Sequence, residues 1–133
     1  MYYLAMICPA CKNTMIILEH DKIEIDHCLN CGGVWLDSGE LELILDDAQK
    51  AEQLPAAIAA HSHRASPRKC PICRKRMQEA KVDGAGAQIV LDQCPKGHGW
   101  WFDKGELQAT IKAAGLGIDE KIQKLLADIF GKK

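Results

Sequence analysis

Hydrophobic and polar residues alternate along two short runs near the start of the chain. Residues 14–19 and 22–28 are both rich in β-branched residues, and the second run alternates Ile with Asp or Glu. A period of two is typical of strands that bury one face. The polar residues between the runs indicate a tight turn. The pattern predicts a β-hairpin, with a short third strand at 34–36.

After this third strand the period changes to that of a helix. Asp37-Ser38-Gly39-Glu40 has the form of a capping box, in which the Asp side chain accepts from the amide three residues on and the Glu side chain reaches back to the cap amide. The residues that follow place apolar side chains at i, i+3, i+4 and i+7, which predicts a helix with one buried face. These apolar residues are Leu41, Ile44, Leu45 and Ala48.

The same order of elements occurs twice. Residues 68–115 repeat 6–48, with Trp100-Trp101-Phe102 in place of Val34-Trp35-Leu36 and a second capping box at 103–106. The offset between the copies is 62 residues at the first cysteine pair and 66 residues from Cys28 and Cys94 onward. The four extra residues therefore fall in the second hairpin, and we expect them to form a loop at 82–87, where insertions are tolerated.

The remaining segments predict a connector and a final helix. Residues 49–67 are rich in Ala, are interrupted by Pro55, and from residue 61 onward resemble a flexible linker. Residues 118–130 have an amphipathic helical pattern, whose apolar face packs on the rest of the protein or forms a homodimer or partner contact. The expected fold is a small α+β protein with two tandem units, each a hairpin and short strand followed by a capped helix, and a C-terminal amphipathic helix.

The size of the repeats requires a source of stability beyond a hydrophobic core. Each repeat has only about 40 residues, a length at which metals or disulfides are usually needed. The chain of 133 residues has seven cysteines, and an odd number argues against a closed disulfide framework. No secretory signal and no apolar stretch long enough to span a membrane is visible. We therefore expect a cytoplasmic protein whose cysteines bind metal.

The cysteines of the first repeat have the spacing of a zinc ribbon. Cys8-Pro9-Ala10-Cys11 and Cys28-Leu29-Asn30-Cys31 are two Cys-x-x-Cys turns, and each turn presents two sulfurs to one ion. A hairpin that brings the two turns together supplies the four tetrahedral ligands that zinc prefers. The predicted ligands of site 1 are Cys8, Cys11, Cys28 and Cys31.

The second repeat departs from this spacing at its fourth ligand. Gly97 stands where Cys31 stands in the first repeat, and His98 follows one residue later. The longer imidazole can place a nitrogen where the sulfur would be, since three cysteines with one histidine form an ordinary structural zinc site. The alternative is a surface histidine beside a three-ligand site. The predicted ligands of site 2 are Cys70, Cys73, Cys94 and His98.

These motifs resemble those of a known family. Cys-Pro-x-Cys, a hairpin and Cys-x-x-Cys-Gly-Gly-Val-Trp-Leu-Asp-x-Gly-Glu-Leu are similar to the TFIIB-type zinc-ribbon family of "transcription factor zinc-finger" domains. The first copy matches throughout 8–41, and the second copy matches over 70–107 except at Gly97 and His98. The resemblance implies two bound Zn²⁺ ions, for which iron could substitute, and it suggests a role in transcription.

The charge of the chain is divided unequally. Residues 1–59 have 3 basic and 10 acidic residues, for a net charge of −7, whereas residues 60–133 have 14 and 8, for +6. Such asymmetry is typical of nucleic-acid binding or of attraction between the two halves. The candidate nucleic-acid contacts are basic residues of the second repeat and one aromatic residue that could offer a surface for bases: Arg68, Lys69, Arg74, Lys75, Arg76, Lys81 and Trp100.

Three classes of function compete. The first is a nucleic-acid-binding module, and the second is a protein-interaction adaptor that binds no nucleic acid. The third is a redox or enzymatic protein, which we do not expect, because the paired turns suit a metal better than disulfide exchange and no set of catalytic groups accompanies them. No small-molecule substrate and no membrane association is expected. We expect Trp35 and Trp101 to pack each hairpin against its capped helix.

Overall fold

A computed structural model describes most of the two repeats. The described residues are 6–20, 23–37, 64–84 and 87–113, together with Glu40, Ile58 and Lys124. Along these ranges the elements are β1 (Ile16–His20), β2 (Ile23–His27), β3 (Val34–Asp37), β4 (Arg64–Lys69), β5 (Arg76–Gly84), β6 (Ala87–Gln93), β7 (Gly99–Phe102) and α1 (Glu106–Ala113). No helix in these ranges is long and apolar enough to cross a membrane.

The predicted hairpins are present in both repeats. β1 pairs antiparallel with β2 from Ile16 opposite His27 to His20 opposite Ile23, and β3 pairs with β2. β5, β6 and β7 are arranged in the same way in the second repeat. We call each turn that carries two candidate metal ligands a knuckle. Ribbon 1 comprises β1–β3 with its knuckles at 8–11 and 28–31, and ribbon 2 comprises β4–β7 with its knuckles at 70–73 and 94–98.

The two ribbons form one continuous sheet. The third strands, β3 and β7, pair antiparallel, so that the seven strands follow the order β1-β2-β3-β7-β6-β5-β4. Trp35 lies opposite Trp101, and these two residues occupy the same position of the duplicated motif. A local two-fold axis therefore passes between them and relates the ribbons. The two tandem modules that the sequence predicts are therefore joined through the pairing of β3 with β7, which we call the junction.

The tryptophans fill the space across the junction. A Cβ atom on Gly33 would collide with the ring of Trp101, and one on Gly99 would lie 2.9 Å from the ring of Trp35. Each ring thus packs against the backbone of the opposite ribbon, a contact that the duplicated motif does not predict. The predicted packing of Trp35 on its own helix lies outside the described residues. Both rings are fully buried. The small glycines after the second knuckles permit this close contact.

Two predicted loops are strands. Residues 64–67, which the composition predicts as flexible linker, belong to β4, which pairs with β5. The four extra residues of ribbon 2 lengthen its hairpin rather than its loop, since Val82 pairs with Ile89 and Gly84 with Ala87. The predicted α+β fold is therefore corrected: the described ranges form an antiparallel sheet with one short helix.

The remaining helical predictions lie outside the described ranges. These are most of the helix after the first capping box, the connector at 49–63 and the helix at 118–130. Glu40, Ile58 and Lys124 are helical, and Ile58 is buried. In ribbon 2 the predicted capped helix is confirmed as α1, which packs on β5 and β6.

Candidate metal centres and the basic groove

Four sulfurs converge at the end of ribbon 1. The first knuckle is closed by the amide of Lys12, which donates to the carbonyl of Cys8 over 3.0 Å. The second knuckle is closed in the same way by the amide of Gly32 and the carbonyl of Cys28, 2.8 Å apart. The ligand atoms of the two knuckles all lie within 4.8 Å of one another. They are the Sγ atoms of Cys8, Cys11, Cys28 and Cys31.

Three sulfurs and one imidazole nitrogen converge in ribbon 2. The Nδ1 atom of His98 lies 3.4 Å from the Sγ of Cys94 and 3.8 Å from the Sγ of Cys70. Cys73 completes the group at 3.8 Å from Cys94. All four ligand atoms lie within 4.8 Å of one another. The extra residue before His98 therefore brings its ring to the place that Cys31 takes in ribbon 1.

The distances in both groups fit a tetrahedral ion. A Zn–S bond of about 2.3 Å implies an edge of about 3.8 Å between two sulfurs of a tetrahedron. The Sγ atoms of Cys8 and Cys31 are 3.6 Å apart, and those of Cys11 and Cys28 are 3.4 Å apart. All seven cysteines are free of disulfides. In each group a metal ion would be held by four protein ligands, and it would supply structural cross-linking.

The first knuckles each combine a buried thiol with an accessible one. Burial raises the pKa of Cys8 and of Cys70 to about 12. The backbone amide of Asn13 lowers the pKa of Cys11 to about 6, and that of Lys75 lowers the pKa of Cys73 to about 7. Without an ion, Cys11 is largely a thiolate at neutral pH and Cys73 is about half ionised, whereas the buried sulfur of each knuckle keeps its proton until a metal displaces it.

The ligands of both centres belong to one hydrophobic core. The buried cysteines pack with Met15 and Met77, which are equivalent in the two copies, and with both junction tryptophans. Since each metal group shares this core, loss of either ion would also remove support from the other ribbon. The buried cysteines are Cys8, Cys28, Cys70 and Cys94.

Arg68 contributes to the structure of ribbon 2. Its Nη1 atom donates to Asp92 over 3.1 Å and to both carboxylate oxygens of Asp103, at 2.9 and 2.8 Å. Asp92 is buried, so that the guanidinium neutralises a charge that would otherwise be unpaired. The equivalent position in ribbon 1 is Met6. Arg68, predicted as a phosphate contact, is therefore already engaged within the protein.

Trp100 does not form an exposed platform for bases. It lies in β7 opposite Leu36, and it is only 6% exposed. The prediction of an accessible aromatic surface is wrong at this residue, because its side chain lies on a covered face of the sheet, whereas Val90 on the neighbouring strand β6 is 38% exposed. Trp100 is therefore no longer a candidate for contact with nucleic acid.

The remaining basic candidates are accessible. Lys81 is half-buried in β5, and the others are exposed at the first knuckle of ribbon 2 and on the strand ends that flank it. The exposed residues are Lys69, Arg74, Lys75 and Arg76. Their equivalents in ribbon 1 are Ile7, Lys12, Asn13 and Thr14, of which one is basic.

A groove opens between the first knuckles of the two ribbons. Its volume is about 400 Å³, and we call it the axial groove because equivalent residues of both copies line it. Ribbon 1 contributes Met6, Ile7, Cys8, Pro9 and Lys12, and ribbon 2 contributes Lys69, Cys70, Pro71 and Arg74. Lys12 was not among the predicted contact residues, because it lies in the acidic half of the chain. Its equivalence to Arg74 was the one signal that could have revealed it.

The fold and the two ligand groups define a metal-binding protein of two fused ribbons. Residues 7–47 and 69–113 match the family described as "Transcription factor zinc-finger". Because the two segments together span more than half of the chain, the protein belongs to this zinc-ribbon family, with two tandem copies. Comparisons with curated proteins and with solved structures find no match.

Proposed function

We propose that this zinc-binding module is non-catalytic and binds nucleic acid through the basic surface of ribbon 2. The observation that supports this proposal is the gathering of exposed cations around one knuckle. Lys69, Arg74, Lys75 and Arg76 flank Cys70-Pro71-Ile72-Cys73 within eight residues of chain. Such a cluster can neutralise several phosphates without depending on base sequence.

A titration with labelled oligonucleotides tests this function. The zinc-loaded protein is mixed with single-stranded and duplex DNA and RNA at about 50 mM salt, where phosphate contacts are strong. Binding is expected, and log affinity should fall linearly with log salt concentration. No binding to any of the four probes would exclude the proposal.

A matched pair of variants places the interface on the molecule. Lys75→Gln with Arg76→Gln removes two exposed cations from the proposed surface, and we expect a smaller salt slope and an affinity lower by about tenfold or more. Lys96→Gln with Lys104→Gln removes two exposed cations near the second knuckles and serves as the control. An equal loss in both double variants would show that only overall charge matters.

Exposed apolar residues at the knuckle tips favour a second candidate, a protein-interaction adaptor that binds no nucleic acid. Leu29 is 71% exposed at the second knuckle of ribbon 1, and Ile72 is 45% exposed at the first knuckle of ribbon 2. Exposed apolar side chains of this size are common at protein interfaces. Leu29→Ser should then abolish capture of a stoichiometric protein partner from nuclease-treated extract, and the wild type should bind none of the four oligonucleotide probes.

A further inference from the structure

The residue that closes each knuckle lies in the left-handed region of backbone conformation. In the second knuckles this residue is glycine, since Gly32 has φ +82° and Gly97 has φ +84°. In the first knuckles it is a cation, since Lys12 has φ +71° and Arg74 has φ +63°. Glycine adopts this conformation without steric cost, whereas a residue with a Cβ atom does not.

Both copies have a cation at a position that favours glycine, which indicates that the side chain has a function. Lys12 and Arg74 are equivalent in the two copies, both are exposed, and both line the axial groove. Strained backbone of this kind is commonly found at functional sites. The two side chains thus enter the groove from opposite ribbons, one on each side of the local two-fold axis.

The groove has unlike sides because one pair of equivalent positions differs. Ile7 lies at the rim of ribbon 1, where it is 43% exposed, and Lys69 takes its place in ribbon 2. Ribbon 2 therefore offers two cations, and ribbon 1 offers one cation beside an apolar surface formed with Met6 and Pro9. This division suits a ligand with an anionic part and an apolar part.

We infer that the axial groove binds a nucleotide of single-stranded nucleic acid, with Lys12 and Arg74 clamping a phosphate. The inference rests on the proposed function and names its substrate class. A volume of about 400 Å³ lies in the range of small-ligand sites and can admit one unstacked base with its phosphate. The bases of a duplex are stacked and paired, so that they cannot enter, whereas those of a single strand can.

Glycine substitutions in the clamp test the inference. The probes are labelled single-stranded oligo-dT of about 12 nucleotides and a duplex of the same length, a size within the usual range for single-strand sites. We expect the wild type to bind the single strand about tenfold more tightly than the duplex. Lys12→Gly, at a residue outside the basic surface of ribbon 2, should weaken single-strand binding by about tenfold and leave duplex binding unchanged, which removes this preference. Arg74→Gly should weaken single-strand binding more than duplex binding, because Arg74 also belongs to the basic surface.

The same variants separate binding from a structural role. Because glycine relieves the backbone strain, the thermal midpoint Tm of each clamp variant is expected at or above that of the wild type. A role in balancing the charge of the metal–thiolate groups requires the opposite result, a lower Tm and weaker zinc binding. A loss of Tm in Lys12→Gly and Arg74→Gly would therefore overturn the inference.

A neighbouring cation supplies the control. Lys75 is exposed at the same knuckle and does not line the groove. Lys75→Gln should weaken single-strand and duplex binding equally and leave their ratio unchanged. A single-strand preference that persists in the clamp variants, or that is missing in the wild type, would refute the groove while leaving the proposed function intact. Displacement of oligo-dT by poly-glutamate at equal charge would also refute it, because it would show an unspecific anion site.

Discussion

At the scale of single residues, the two copies differ in the partner of a buried carboxylate. Ribbon 2 places Arg68 against Asp92 and Asp103. In ribbon 1 the equivalent of Asp92 is Asp26, which is buried, and burial together with the charges of Asp37 and Glu24 raises its pKa to about 6. The comparison shows that the basic residue Arg68 is part of the fold, although its sequence context is that of a phosphate contact.

Removal of this arginine should destabilise the protein. Arg68→Met leaves Asp92 buried without its cation, and we expect a loss of about 2–3 kcal/mol in the free energy of unfolding, measured in urea with zinc present. Arg68→Met combined with Asp92→Asn should recover most of this loss, because the unpaired charge is gone. A change below about 0.5 kcal/mol in the single variant would contradict the structural role.

The contact of Trp101 with Gly33 is a second residue-scale test. Gly33→Ala places a methyl group into the Trp101 ring and should cost about 1–3 kcal/mol of stability through overpacking. Gly33→Ala combined with Trp101→Phe should cost less than the sum of the two single changes, as read from a double-mutant cycle. Additive costs would mean that the ring does not lie against this backbone.

At the scale of elements, the capping boxes are formed in part as predicted. Glu106 accepts from the amide of Asp103 at 2.9 Å, and Glu40 accepts from the amide of Asp37 at 3.0 Å. The Asp side chains, however, accept from the indole nitrogens of Trp35 and Trp101 at 2.8 and 3.0 Å. Each cap therefore ties its helix start to the junction tryptophan of its own ribbon.

Burial of the cap carboxyl groups makes stability depend on pH. The pKa of Glu106 is raised by burial from 4.5 to about 7, so that the folded protein holds a proton which the unfolded chain releases. This contribution to stability is complete below pH 4.5 and is lost as the pH rises through about 7. Glu106→Gln should remove about 1 kcal/mol of the decline between pH 4.5 and 7, after discounting for partial exposure. A further decline up to about pH 8 should remain, because burial raises the pKa of the equivalent Glu40 to about 8.

Urea denaturation of the zinc-loaded wild type and variant at several pH values measures this difference. Lys104 is exposed and precedes α1, so that Lys104→Gln serves as a comparison that retains Glu106 and the carboxylates around it. An equal pH dependence in the wild type and in Glu106→Gln would assign the decline to other groups.

The element scale also shows where sequence patterns succeed and where they do not. Runs rich in β-branched and apolar residues located the strands at 16–20, 23–27 and 87–93, because strand propensity is a local property, and the second run also alternates Ile with acidic residues. The pairing of β4 with β5 could not be read, since Arg64–Lys69 is polar and contains Pro67. Because its polar residues and Pro67 give β4 little strand propensity of its own, its pairing with β5 holds it in the sheet.

At the scale of the whole molecule, the duplication and the two groups of candidate metal ligands could be read from the spacing of the seven cysteines and from His98. The two-fold junction could not, because it joins two strands of four residues whose pairing depends on contacts far apart in the chain. Arg68 was misjudged for the same reason, as its partners lie 24 and 35 residues away. The left-handed backbone conformation of Lys12 and Arg74, and their position in the groove, likewise could not be read from the sequence.

The shared core predicts that the ribbons unfold together. His98→Ala removes one ligand of site 2, and it should lower the Tm of the whole chain in a single calorimetric transition, because both sites pack on the same methionines and tryptophans. Lys96→Ala, an exposed neighbour in the same knuckle, should leave the Tm unchanged. Two separate transitions would show that the ribbons are independent domains.

The central claim is that two metal ions hold one folded unit, and native mass spectrometry tests it most directly. Structural zinc contributes about 10–16 kcal/mol per site in small zinc-finger peptides, which exceeds what cores of this size supply. We predict two zinc ions per wild-type chain with a compact charge-state distribution, and the distribution of an unfolded chain after complete chelation. Fewer than two ions, or a compact chain without metal, would contradict the account.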